Sequence, residues 1–150
     1  MTKTATNKVF APLATGDVFW EQLGVPRRGP RLFEELEAGF HYRFFDLLAE
    51  LSGLQKRQLS MLLAISPATL ARRAKAKRFT PAESDRLFRF AEILKAAIDL
   101  FEGDQTRARR WMISPCAGLN GKAPVEMLRS ATQSGAVEDL IGQMEHGVIA

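Results

Sequence analysis

The middle of the chain holds hydroxyl and guanidinium groups at the spacing of one helix face, in the run QKRQLSMLLAISPATLARRA at residues 55–74. Arginine can read the edge of a guanine, hydroxyls reach bases or phosphates, and lysine pairs with phosphates. This chemistry is that of binding to a DNA duplex. We assign base contacts to Thr69 and Arg72, and phosphate contacts to Arg73 and Lys75. The full set of predicted DNA-binding residues is Ser66, Ala68, Thr69, Arg72, Arg73 and Lys75.

Two helices joined by a tight turn must position these side chains. The apolar stripe of the first helix consists of Leu59, Leu62 and Leu63. Ile65 falls in the turn, where it can fill the gap between the helices. Ser66 and Pro67 suit the cap and first position of the second helix, since the hydroxyl satisfies a free amide and proline needs no partner there. Leu70 faces the core. The pattern predicts a helix-turn-helix in which the second helix reads DNA.

Charge is concentrated in the same part of the chain. Residues 55–90 contain nine lysines and arginines against two acidic residues, which gives +7 there and leaves −3 for the rest of a chain whose net charge is +4. A local excess of positive charge favours a polyanionic partner. The charge distribution therefore supports DNA as that partner.

Composition argues against several other classes of protein. The longest apolar runs are too short to cross a membrane, and the N-terminus does not resemble a signal peptide, so we expect a cytoplasmic protein with no membrane contact. A single cysteine, Cys116, excludes an internal disulfide. The two histidines, His41 and His146, stand apart from any nucleophile or carboxylate pair. We expect no catalytic residues, no metal site and no cofactor, and we regard an enzyme as the least favoured interpretation.

The rest of the chain predicts an all-α fold. We predict an N-terminal extension over residues 1–30, a helix-turn-helix DNA-binding half over residues 31–102 and a small helical half over residues 103–150. Helix-ending glycines are predicted at Gly39 and Gly53. The predicted helix caps are Ser66, Thr80 (with Glu83 as a capping box), Asp104 and, for the last helix, Ser134.

Several separate blocks of sequence resemble the Xre/MbcA/ParS antitoxins. They are RFTPAESDRL at 78–87, the pair Trp111-Met112, LNGKAPVEML at 119–128, and MEHGV at 144–148. The resemblance runs from about Gly24 to the end of the chain. It departs from the family pattern at 114–116 and at 120–121, both in predicted loops.

The resemblance implies a type II antitoxin whose C-terminal half binds a toxin. Its usual partner is a RES-domain toxin that destroys NAD⁺, and the C-terminal end of the antitoxin is lodged in the toxin's active site. The complex also represses its own operon. The toxin-binding residues implied are Trp111, Met144, His146, Gly147, Val148, Ile149 and Ala150. Trp111 also suits a core position, and we expect the terminal carboxylate of Ala150 to replace a phosphate of the dinucleotide.

We expect a homodimer, because a two-fold operator requires two half-site readers. Phe19-Trp20 and the segment 40–51 are the predicted contact, although their aromatic residues also suit a core. The alternative function is a stand-alone helix-turn-helix repressor without a toxin partner.

Overall fold

The computed structural model describes residues 17–147, and the regular elements in that range are helical, which confirms the predicted all-α class. The helices are α1 (Asp17–Leu23), α2 (Pro30–Ala38), α3 (Arg43–Ser52), α4 (Lys56–Leu62), α5 (Pro67–Ala76), α6 (Pro81–Leu100), α7 (Gln105–Met112) and α8 (Ala131–Glu145). Two short 3-10 helices, Ala117–Leu119 and Pro124–Met127, lie between α7 and α8.

The long helix α6 is the centre of the structure. It packs against α2 and α3 from the first half of the chain and against α7 and α8 from the second half. Its buried positions recur at helical spacing, as the sequence predicted, so that one 20-residue helix carries a core seam shared by both halves. The largest of them are Leu87, Phe88, Phe90, Ile93, Leu94 and Ile98.

An aromatic cluster joins α1 to this seam. The Trp20 ring lies 5.2 Å from that of Phe88, and Phe40 lies 4.4 Å from Phe44 and 6.3 Å from Phe88, measured between ring centroids. Phe19, Trp20 and the phenylalanines of segment 40–51 are buried within this one chain. The prediction that they supply a dimer surface is therefore wrong, because side chains already enclosed by their own chain cannot cover a second copy. Their interpretation as core is confirmed.

The segment after α2 lies against the segment after α5. Tyr42 N–H donates to the Lys77 carbonyl (3.0 Å), and Phe79 N–H donates to the Phe40 carbonyl (2.9 Å). Gly39 ends α2 as predicted, with φ at +88°. A Cβ at this position would lie 2.0 Å from the Phe79 carbonyl oxygen, so no other residue fits.

The predicted caps at Ser66, Thr80 and Asp104 are confirmed, since each side chain accepts from the amide three residues on. The predicted cap at Ser134 is wrong. The last helix begins earlier, at Ala131, and Ser130 is its cap, accepting from the Gln133 amide at 3.1 Å. Ser134 lies inside α8 and is buried. Both serines precede helix-forming residues, and the sequence pattern does not distinguish them.

We expect Trp20→Ala to lower the free energy of unfolding by about 3–5 kcal/mol, the usual cost of emptying a buried aromatic site. Trp20 is 5% exposed, whereas Phe33, on the outside of α2, is 61% exposed. Phe33→Ala is thus the matched control and should change stability by about 0.5 kcal/mol or less. Urea unfolding followed by far-UV circular dichroism measures both free energies. A loss of stability for Trp20→Ala as small as that for Phe33→Ala would show that α1 is not part of the core.

Candidate functional site

The helix-turn-helix consists of α4, a turn at residues 63–66, and α5. Leu59 and Leu63 are fully buried beneath it, and Ile65 fills the turn as predicted. Ala64 adopts a left-handed conformation (φ +59°), and the Ile65 amide donates back to the Ser60 carbonyl at 2.8 Å. A single left-handed residue lets the chain reverse within four residues and begin a new helix.

Helix α5 lies on the surface, and none of its residues is fully buried. The predicted DNA-binding residues Ser66, Ala68, Arg72 and Lys75 are exposed, and Thr69 is half-buried. A chain of hydrogen bonds orders three of them: the Ser66 hydroxyl donates to Thr69 Oγ1 (3.0 Å), which also accepts from Arg72 Nη2 (3.3 Å). The structure therefore brings the candidate base-reading groups together on one face.

Arg73 differs from the sequence expectation. We predicted that it points outward beside Arg72, but its guanidinium faces α6, where Nε donates to Glu83 Oε1 (2.7 Å) and Nη2 donates to Glu83 Oε2 (3.0 Å). The two side chains are 21% and 9% exposed. A paired, bidentate arginine is a structural link between helices, and the outward placement was wrong for this residue.

Glu83 receives a third donor, because its Oε1 also accepts from the Thr80 amide (2.9 Å) in the predicted capping box. Burial by itself would raise the pKa of Glu83, but the hydrogen bonds from Arg73 and from the Thr80 amide outweigh it, and the pKa lies below its usual value. Glu83 is therefore ionised at neutral pH. One carboxylate thus caps α6 and ties α5 to it.

Other arginines of the basic region also bind within the chain. Arg86 Nε donates to the Leu63 carbonyl (2.8 Å), and Arg78 Nη1 donates to the Gly39 carbonyl (2.7 Å). Arg89 pairs with Asp85 on the preceding turn of α6 and donates from Nη1 to the Leu128 carbonyl (3.4 Å). Lys56 pairs with Asp46 at 2.9 Å. The charge count thus overstated the number of cations available to DNA, since these side chains act within the fold.

An apolar groove lies beside α5, which the sequence did not predict. Its lining residues are Tyr42, Arg57, Ser60, Pro67, Leu70 and Ala71. Tyr42 is stacked on Phe79, and burial, followed by the charge of Asp46, raises the pKa of its phenol. Arg57 is exposed at the edge of the groove. Tyr42 lies outside the run 55–74, so only the folded chain shows that it borders α5.

The predicted toxin-binding residues lie in two places. Trp111, on α7, is half-buried and packs against Phe101 at the end of α6, with ring centroids 6.4 Å apart. Met144 and His146 lie at the end of α8, where His146 Nδ1 is 2.7 Å from the Gly142 carbonyl. Gly147 follows with φ at +69°. Val148, Ile149 and Ala150 lie outside the described residues.

The other reactive side chains have structural surroundings. His41 Nδ1 accepts from the Arg43 amide at 3.2 Å, and burial raises the pKa of the Cys116 thiol, which disfavours the reactive thiolate. Within residues 17–147, His, Cys, Asp and Glu side chains do not gather in a group of three that could hold a metal ion. Over the same residues, no helix is both long and apolar enough to span a bilayer.

Two family descriptions match successive parts of the chain. Residues 32–92 match the antitoxin Xre-like helix-turn-helix domain, and residues 96–147 match the antitoxin Xre/MbcA/ParS C-terminal toxin-binding domain. Full-length relatives agree. The antitoxin Xre of Yersinia enterocolitica is 35% identical over 141 residues, covering 93% of this chain and 95% of the relative. The antitoxin Xre of Photorhabdus laumondii is 34% identical over 149 residues, covering 95% of this chain and 99% of the relative.

Fold and matches together define a helix-turn-helix protein with a C-terminal toxin-binding domain, which is a binding protein and not an enzyme. The chain belongs to the Xre antitoxin family. A shorter match supports this: the antitoxin Xre of Pseudomonas putida is 37% identical over 65 residues, 43% of this chain and 40% of that protein.

We expect Glu83→Gln to destabilise the protein at pH 7 by more than Thr80→Ala, which removes one cap at a cost of about 1 kcal/mol. Because the folded pKa of Glu83 is lowered, its contribution is fully present above the unfolded pKa of about 4.3 and is lost as the pH falls through the folded value. The difference between wild type and Glu83→Gln should therefore shrink below about pH 4.3.

Urea unfolding at pH 7 and at pH 3.5 measures this pH dependence. Glu37→Gln, at an exposed position on α2, is the control for loss of one negative charge. A Glu83→Gln penalty of the same size at both pH values would contradict an ionised Glu83 in the fold.

Proposed function

We propose that this chain neutralises a RES-domain toxin that consumes NAD⁺ and that it represses its own operon. The observation that carries the proposal is the presence of an Xre-like helix-turn-helix domain and a toxin-binding domain on one chain. The match of residues 96–147 to a toxin-binding domain disfavours the alternative of a stand-alone repressor. We also propose a cytoplasmic location, because operator DNA and the toxin would both be met there.

For DNA, we propose that α5 lies in the major groove. Ser66, Ala68 and Thr69 occupy its N-terminal turn, the part of a reading helix that approaches the bases. Arg72, ordered by Thr69, is the candidate for a guanine edge, and exposed Lys75 is the candidate for a phosphate.

We still propose Arg73 as a phosphate contact, but only through the nitrogen that Glu83 does not engage. Glu83 engages its Nε and Nη2 atoms, which leaves the Nη1 amine to donate to a phosphate. An arginine fixed by a carboxylate loses little further side-chain entropy when it binds a phosphate. Such a contact would fix the distance between α5 and the DNA backbone.

For the toxin, we propose that the end of the chain enters the NAD⁺ pocket. Residues 148–150 would reach about 10 Å past Gly147 when extended, which is enough to enter a cleft. Burial of Val148 and Ile149 would contribute roughly 1.5–3 kcal/mol each before ordering costs. Met144 and His146 would form the base of this segment, and Trp111 would support the toxin-binding domain from its core.

We also propose a homodimer, since paired half-sites take two copies of a helix-turn-helix. The buried phenylalanine and tryptophan rings do not form its contact, because their own chain already encloses them.

Arg72→Ala should weaken binding to the promoter region of the protein's own gene by about 1–3 kcal/mol and reduce the preference over a scrambled duplex. Lys75→Ala should weaken binding to both duplexes alike, because phosphates carry no sequence information. Lys122→Ala, an exposed cation in the toxin-binding domain, is the control for charge alone. Fluorescence anisotropy at fixed salt measures all three. An Arg72→Ala protein with wild-type affinity and preference would remove Arg72 from the interface.

Deletion of residues 147–150 should abolish protection of cellular NAD⁺ while leaving operator binding intact, because these residues lie beyond α8 and far along the chain from α5. The measurement is the NAD⁺ level in cells that express the product of the adjacent gene with either form. Gln143→Ala, an exposed position on α8, is the control and should protect fully. If the shortened chain also protects fully, inhibition comes from the body of the domain.

A further inference from the structure

Two arginines of the toxin-binding domain bind main-chain carbonyls of the DNA-binding domain. Arg109, on α7, donates from Nε to the Leu51 carbonyl (3.0 Å) and from Nη2 to the Glu50 carbonyl (2.9 Å), at the end of α3. Arg129 donates from Nη2 to the Met61 carbonyl (3.2 Å), at the end of α4. Each arginine thus reaches the C-terminal end of a helix in the other domain.

The ends of α3 and α4 are suited to such contacts. The last carbonyls of a helix have no hydrogen-bond donor within it, and they carry partial negative charge. A guanidinium at this end supplies both the missing donors and a compensating positive charge. Arg109 lies directly over the cap residue Gly53, where a Cβ would be 3.0 Å from its Cδ. Arg109 is half-buried and makes two bonds, and we regard it as the fixed anchor between the domains.

Arg129 binds at the turn that connects α4 to α5. The Met61 carbonyl also accepts from the Ala64 amide (3.0 Å), which closes the turn between α4 and α5. Arg86, from α6, binds another carbonyl of the same turn, that of Leu63. We call Arg86 and Arg129 the turn clamp: one member comes from the central helix and the other from the toxin-binding domain.

The direction of α5 depends on this turn. Without a fully buried residue, α5 is held by half-buried Leu70, by the Arg73–Glu83 pair and by the turn itself. A change at the turn would therefore tilt the face of α5 proposed to contact DNA. Arg129 directly precedes Ser130, the cap of α8, and α8 leads to the toxin-binding end of the chain. A displacement of the start of α8 would move Arg129 relative to the Met61 carbonyl.

We propose that Arg129 is a positioning residue for DNA binding, through which an occupied toxin-binding domain changes the affinity of α5 for the operator. The inference rests on the proposed function, since it needs both partners to bind. The contact is exposed and consists of one hydrogen bond, which suits a link that is made and broken, whereas Arg109 makes two hydrogen bonds to the other domain.

The test compares operator affinity with and without toxin in the full-length chain. The probes are a duplex of the protein's own promoter region and the adjacent gene's product carrying an inactivating substitution. In wild type, toxin should change operator affinity by about fivefold or more, the lower range of measured couplings. In Arg129→Ala, the change should fall to within about twofold of none. Arg110→Ala, an exposed arginine on α7, removes the same charge and should keep the wild-type response.

A second measurement separates positioning from simple loss of stability. Hydrogen exchange at the Ala64 and Ile65 amides should respond to toxin in wild type and in Arg110→Ala, but not in Arg129→Ala, while toxin affinity and melting temperature stay the same in all three. An Arg129→Ala protein that keeps the full response of operator affinity to toxin would overturn the inference and leave the proposed function intact. A wild-type chain that binds neither the duplex nor the toxin would overturn both.

Discussion

The carboxylate of Glu83 determines how α5, the helix proposed to contact DNA, is held. It accepts from the Thr80 amide, which begins α6, and from two nitrogens of Arg73, which lies on α5. Because α5 contributes no fully buried side chain to the core, packing alone would hold it weakly. The charge-assisted pair compensates for this and fixes the rotation of α5, so that Arg73 faces inward while Thr69 and Arg72 face outward. The exposed face proposed for DNA thus depends on the contact that the same helix makes with α6.

Much of the fold could be predicted because its signals are local. The Ser66 and Thr80 caps, the glycine after α2 and the α6 seam each depend on residues within one or two turns, so sequence spacing is sufficient to predict them. The candidate site could be predicted only as far as the face of α5. The placement of Arg73 was missed because its partner lies across an interhelical gap, and neighbouring arginines on a helix have the same local signal whether they face solvent or a carboxylate.

Longer-range contacts were beyond the reach of the sequence pattern. The carbonyls bound by Arg86 and Arg129 are 23 and 68 residues away, and a main-chain acceptor has no residue type by which it could be recognised. A similar ambiguity applies to Trp20 and Phe45, because apolar residues cluster in the same way at a core and at an interface. The structure resolves this by enclosing both rings within one chain.

The central helix also has a consequence for how such proteins are put together. The helix-turn-helix match ends at residue 92 and the toxin-binding match begins at residue 96. The boundary between the two domains therefore falls inside α6 and not in a linker. Ile93, Leu94 and Ala97 at that boundary are buried. A cut there would leave each piece with half of a helix and an open apolar face. An exchange of toxin-binding domains between relatives must therefore graft core side chains along with the domain, and a new toxin specificity has to remain compatible with the packing beneath the DNA-binding helices.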